Sequence, residues 1–304
     1  MNKTISSNGG RGIVLAIFSL LAVVPLVSAA VADQDAKAAQ KAPDTAEAHL
    51  KKADEAFASR KLNIAKDEAK RALKLEKNSP VAHLMLALVY RAQNKPKDAL
   101  KSIKEAIKYR QNYAYAHYLL AVLLYERHDP KELAKDIKQS NEEIDLAISQ
   151  GIAYAGAFVL KGTLAIAAGK FETALEVYKK AREIISPNDP ELPLLQEQIT
   201  ALESYIDFKA HKDNAAYKRP VPLNRPMPNY TEEARLRKIQ GVVRTRIFVD
   251  ERGDVKSILL ISRLGHGLDQ EAIWATMRLK FTPATKDGKP VPYWVGVDVE
   301  FNLR

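Results

Sequence analysis

Apolar residues recur at helical spacing through the middle of the chain and at every second position near its end, so two textures predict two kinds of structure. Ahead of both, Lys3 and Arg11 precede an apolar run from Ile13 to Val27, which gives way to Ser28, Ala29, Ala30, Val31 and Ala32. That order predicts a signal peptide over residues 1–32, with Pro25 breaking the helix just ahead of small residues suited to cleavage. The same uncharged stretch, about 20 residues long, also has the length of a bilayer span. A retained membrane anchor is therefore the competing reading. Residues 33–45 hold little apolar content beyond alanine and predict a flexible lead-in.

Shifting the chain against itself by 34 residues aligns Ala53 with Ala87 and Ala121, Ala65 with Ala99, and Ala72 with Ala106. Small residues at constant offsets are what close helix crossings require, and this period predicts a solenoid of helix-turn-helix units. The third unit begins near Ala114, carries Leu133 where alanine is expected, and holds about seven extra residues around Asp129 to Asn141. The fourth resumes the pattern with Gly162, Ala174 and Ala181, so four units cover Ala46 to Pro187. Lys52 in the first unit fits a solvent-facing cap. Leu195, Ile199, Leu202 and Ile206 place an apolar stripe on a closing helix from Glu191 to Phe208.

The segment 209–229 contains Pro220, Pro222, Pro226 and Pro228 and predicts a stiff, extended spacer. Residues 230–304 then read as a small α+β domain. Thr231 caps a short helix to Lys238, and Gly241 ends it. Val243, Thr245, Ile247 and Val249 alternate with polar neighbours, and a turn at Glu251 to Asp254 leads into a strand from Val255 to Ser262. Leu268, Ala272, Ala275 and Leu279 predict a second helix across this hairpin. After the Asp287-Gly288 turn, Tyr293, Val295, Val297, Val299 and Phe301 alternate along the last strand. The fold class is thus multi-domain, an all-α solenoid of repeats followed by an antiparallel sheet with two helices.

Composition narrows the chemistry. The chain has no cysteine, which removes disulfides, thiolate metal sites and thiol redox chemistry. A net charge of +10 favours anionic surfaces, yet no basic cluster sits in a nucleic-acid-binding motif, so nucleic acid is not an expected partner. No phosphate loop, zinc spacing or nucleophile elbow occurs, so the chain is not expected to be an enzyme or to hold a cofactor or metal. His49, His83 and His117 also repeat at 34 residues. Neighbouring units stand roughly 10 Å apart, so these histidines read as packing positions and not as one ligand set. Tyr115, Tyr118 and Tyr125 are candidates for a peptide-gripping groove, with packing against the insertion as the equal alternative.

The small residues Ala87, Ala99 and Ala106, with Tyr90 and Ile103 at bulky positions, resemble the tetratricopeptide repeat family. The resemblance implies a solenoid whose groove takes a peptide or protein ligand. Residues 230–304 resemble the TonB C-terminal domain. The likeness is carried by Pro228 and Tyr230 ahead of Ala234, Gly241, Gly253, Leu268 with Asp269, the Arg278, Phe281 and Pro283 cluster, the Asp287-Gly288-Lys289-Pro290 turn and the Val297-to-Phe301 strand. This resemblance implies recognition without catalysis: a segment of an envelope partner, such as an outer-membrane transporter, added as a strand along Tyr293 to Asn302. Thr231, Leu279 and Met227 depart from the residues usual in that family. The apolar N-terminal run also lacks the histidine that energised transducers carry. Together these features imply a periplasmic adaptor, with an inner-membrane-anchored energy transducer as the alternative, membrane contact then running through the uncleaved N-terminus.

Overall fold

The computed structural model describes residues 44–127, 132–211 and 217–303, so the signal-peptide or anchor reading of 1–32, most of the lead-in and part of the insertion lie outside the described residues. Contacts divide the chain into two compact units, one ending at Ala153 and one beginning at Tyr154.

The first unit contains three antiparallel helix pairs: α1 (Ala46–Ala58) with α2 (Leu62–Leu75), α3 (Pro80–Ala92) with α4 (Pro96–Tyr109), and α5 (Ala114–Arg127) with α6 (Leu133–Ser149). Thr45 starts the series by accepting the Ala48 amide at 3.1 Å, and Pro80 and Pro96 occupy first-turn positions where a missing N–H costs nothing. Ala53, Ala65, Ala72, Ala87, Ala99, Ala106 and Ala121 are fully buried, each at a close helix contact. Within the described residues, α6 is 17 residues long against 14 for α5. Ser140 and Ala147 then take the buried small positions, and the Ser140 hydroxyl donates to the Ala121 carbonyl at 2.8 Å. Leu133, the expected counterpart, is instead the first residue of the helix.

The second unit opens with the fourth pair, α7 (Ala155–Ala167) and α8 (Phe171–Ile184), and the closing helix α9 (Leu192–His211). Gly162 has no room for a side chain because a Cβ there would meet the Tyr178 ring at 2.2 Å. The short strand β1 (Tyr217–Lys218) follows, then α10 (Glu232–Leu236), capped by Thr231, then the hairpin β2 (Gly241–Val249) and β3 (Val255–Leu260). Helix α11 (Leu268–Met277), strands β4 (Ala284–Lys286) and β5 (Lys289–Val291), and β6 (Tyr293–Phe301) complete it.

Two three-stranded antiparallel sheets form, in the orders β3-β2-β6 and β1-β4-β5. One face of the larger sheet packs Ile247, Val249 and Ile258 against Ile273 of α11. Its other face places Leu259 and Trp294 in one core with Ile199 and Leu202 of α9. Trp294 donates its indole N–H to the Ser204 hydroxyl at 3.2 Å and meets Tyr205 edge-on at 5.3 Å.

The proline-rich stretch lies along this unit and does not stand free. Pro220 is buried, Pro222 bridges Phe281, and Leu223 donates to the Lys280 carbonyl at 2.7 Å. Proline removes only its own donor, so the amides and carbonyls between prolines remain able to pair.

Candidate interaction edge

Strand β6 pairs with β2 from Tyr293 opposite Val249 to Phe301 opposite Gly241. Among the described residues β2 is its one strand partner, so β6 forms an edge of the sheet. An edge strand turns alternate backbone amides and carbonyls outward, where a further strand can pair with them. Val295, Val297, Val299 and Phe301 point towards the cores around α10 and α11, half-buried or buried. Gly296, Asp298 and Glu300 are exposed on the opposite face. The alternation fixes the register of β6, because a slip of one residue would put Asp298 and Glu300 into the core.

The motif residues hold this edge in place. Gly253 has φ +84°, and a Cβ there would lie 1.9 Å from the Phe281 carbonyl oxygen. The Phe281 amide in turn donates to the Gly253 carbonyl at 2.9 Å, so the hairpin turn and the end of the second-helix region are stitched together. Gly241, at φ +146°, begins β2 against Leu264. Tyr230 donates its hydroxyl to the Ile239 carbonyl and stands edge-on to Phe301 at 5.9 Å. Gly288, also at positive φ, turns β4 into β5. Pro228 and Pro283 are half-buried. Asp269, buried at the start of α11, accepts the Leu264 and Gly265 amides and the Arg263 guanidinium. The buried carboxylate is thereby supplied with the donors it needs.

In the first unit, Tyr115, Tyr118 and Tyr125 of α5 are all buried, Tyr115 and Tyr118 in edge-on contact at 5.4 Å. The repeating histidines each stay within their own helix pair. His49 meets Glu68 at 2.6 Å and Asp44 at 2.7 Å, His117 meets Glu143 at 2.6 Å and the Gln111 carbonyl at 2.8 Å, and His83 stacks on Tyr109 at 5.5 Å. Sequence spacing identified the position but not the carboxylate partners of His49 and His117, Glu68 and Glu143, which lie at different separations, 19 and 26 residues away. Among the described residues, no three His, Cys, Asp or Glu side chains gather as a metal site. Of the described helices, none is long and apolar enough to cross a membrane.

The sequence reading missed a cleft of about 340 Å³ beside the first half of β6, between α9 and the sheet. Its walls carry Phe208, Tyr293 and Trp294 and the cations Lys209, Arg219 and Arg246. Phe208 meets Tyr293 edge-on at 4.7 Å. The only sequence signal was the aromatic spacing on the closing helix, which periodicity alone assigns to a core.

Comparison with known proteins agrees with this division. Residues 226–303 match the family described as Gram-negative bacterial TonB protein C-terminal, and residues 84–147 match a tetratricopeptide repeat family. The chain is 33% identical over 94 residues to Protein TonB of Vibrio cholerae serotype O1, covering 28% of this chain and 38% of that protein. It is 34% identical over 92 residues to Protein tonB2 of Pseudomonas aeruginosa, covering 30% and 32%. The chain therefore spans only about a third of the length of either relative. A solved structure of Pseudomonas aeruginosa pilF is similar at 21% identity and a TM-score of 0.45, over 55% of this chain and 73% of that one. Residues 84–147 thus carry tetratricopeptide-type repeats, and residues 226–303 form a C-terminal domain of the TonB type.

Proposed function

We propose that this chain is a non-catalytic periplasmic adaptor whose β6 edge receives an extended segment of an envelope partner, such as an outer-membrane transporter, as an added strand. The tetratricopeptide repeats hold a second protein or peptide ligand. Both matched families are non-enzymatic interaction modules. The observation that carries the reading is the position of β6, paired with β2 on one side and at the sheet edge on the other among the described residues. Strand addition uses the partner's backbone for affinity and alternate side chains for specificity, which suits a strand whose own side chains are already committed to the core.

The test is photo-crosslinking in cells from Asp298 and Glu300, exposed neighbours of the edge, in the full chain. Adducts to an envelope protein through one extended segment, competed by a synthetic peptide of that segment, are expected. Adducts scattered over many folded surfaces, or none from either position, would reject strand addition.

The matched TonB domain also supports a second reading, a membrane-anchored energy transducer for outer-membrane transport. That reading requires residues 1–32 to be retained. Restoration of transport by a soluble periplasmic form of the chain would exclude it.

A further inference from the structure

The cleft between α9 and β6 concentrates unmatched positive charge. Elsewhere in the C-terminal domain some basic side chains find carboxylates: Lys280 meets Asp254 at 2.7 Å, Arg263 meets Asp269 at 3.1 Å, Arg237 meets Glu233 at 3.1 Å and Arg244 meets Asp298 at 3.6 Å. The three cations of the cleft differ. Among the described residues, Lys209, Arg219 and Arg246 form no ion pair; Lys209 lies over the Phe171 ring at 5.5 Å, and Arg246 donates to the Thr245 carbonyl at 3.1 Å. Among the described residues, no carboxylate lines the cleft.

Cross-strand register aims one of these cations at the edge. Arg246 on β2 stands opposite Gly296 on β6. A Cβ at Gly296 would lie 2.9 Å from the Arg246 guanidinium, so that group occupies the space a side chain at 296 would fill. It reaches over β6 because residue 296 is glycine. The aromatic walls exclude part of the water from this space, which strengthens attraction to an incoming anion. A guanidinium also offers paired donors that match a carboxylate's two oxygens.

We propose that this cleft recognises an acidic side chain, Asp or Glu, on the extended segment that pairs with β6, near the end that meets Tyr293 to Gly296. The inference rests on the strand-addition reading and adds its specificity. A peptide carboxylate fits the site because Val295 and Gly296 of the edge strand themselves line the cleft, so a residue paired there projects into it. Lys209 and Arg219 are exposed and Arg246 is half-buried, so an anionic membrane surface is the competing occupant that the experiment must separate from a peptide.

The experiment presents a randomised decapeptide display library to the full chain and to a variant carrying Lys209→Gln, Arg219→Gln and Arg246→Gln. The parent is expected to enrich alternating apolar peptides with Asp or Glu at one fixed position. The triple variant should keep the alternation and lose the acid. For one selected peptide, quenching of Trp294 fluorescence in a Trp274→Phe background should show about 10–100-fold weaker binding to the triple variant. A counterpart with Gln for its acidic residue should bind both proteins alike. Gly296→Ala asks only a flexible side-chain end to move and should weaken the acidic peptide selectively. Alternating peptides without acid enrichment would overturn the cleft proposal and leave strand addition standing. Recovery of no extended peptide would remove both. Anionic-vesicle binding lost in the triple variant, without acid enrichment in the parent, would overturn the proposal in favour of a membrane surface.

Discussion

His49 and His83 occupy the same position in consecutive repeats, yet their surroundings drive them in opposite directions. Donation to the Glu68 carboxylate, then to that of Asp44, holds the His49 pKa above its ordinary value despite burial, while Glu68 is also bridged by Arg71 at 2.6 Å. Burial is the largest influence on His83 and pushes its pKa down. A raised folded-state pKa contributes stability that is full below the unfolded value, about 6.5, and is lost as pH rises through the folded value. A depressed one contributes stability that is present above the unfolded value and lost as pH falls through the folded value. Thermal unfolding of the full chain between pH 5 and 9, compared with His49→Gln and His83→Gln, should therefore show slopes altered in opposite senses. Equal pH profiles in the two variants would contradict these local environments.

At the scale of elements, β6 combines two duties, closing the core and leaving an edge open. Val297 and Asp298 are consecutive, so the amide of one points towards β2 and that of the other points outward. Proline removes the amide at either position. Of Val297→Pro and Asp298→Pro, one should lose a ladder hydrogen bond and destabilise the domain by about 1–3 kcal/mol. The other should melt near the parent temperature and lose capture of an added strand. Paired thermal melts and peptide-binding measurements distinguish them, and a pair that behaves identically in both assays would count against an open backbone edge. The closing helix α9 is similarly double-faced, ending the repeats with Leu195, Ile199 and Leu202 and meeting the sheet through Tyr205.

At the scale of the molecule, the fourth repeat, the closing helix and one face of the larger sheet share a core, so residues 154–303 are expected to unfold together. Trp294→Ala should cost about 3–5 kcal/mol, because it removes a large buried side chain with limited means of repacking. Hydrogen exchange should then rise in α8 and α9 as well as in β2 and β3; a rise confined to the strands would contradict a shared core. The existence of the helical repeats, their small contact residues, the hairpin and the last strand was legible in the sequence because each follows from local periodicity or from a turn glycine such as Gly253. The third unit's contact positions, Ser140 and Ala147, were not, since an insertion moves the register without marking where it resumes. Nor were β1, β4 and β5, strands of two or three residues too short to show alternation, or the hydrogen bonding of the proline-rich stretch to residues near Phe281. The sequence by itself determined the repeat helices, the longer strands and which of their side chains seek burial, because those choices are made within a few residues of chain. Only the tertiary structure decided that Trp294 meets Ser204 and Tyr205 and that Arg246 lies over Gly296 beside Lys209 and Arg219, because these contacts join residues far apart in sequence through the packing of one element on another.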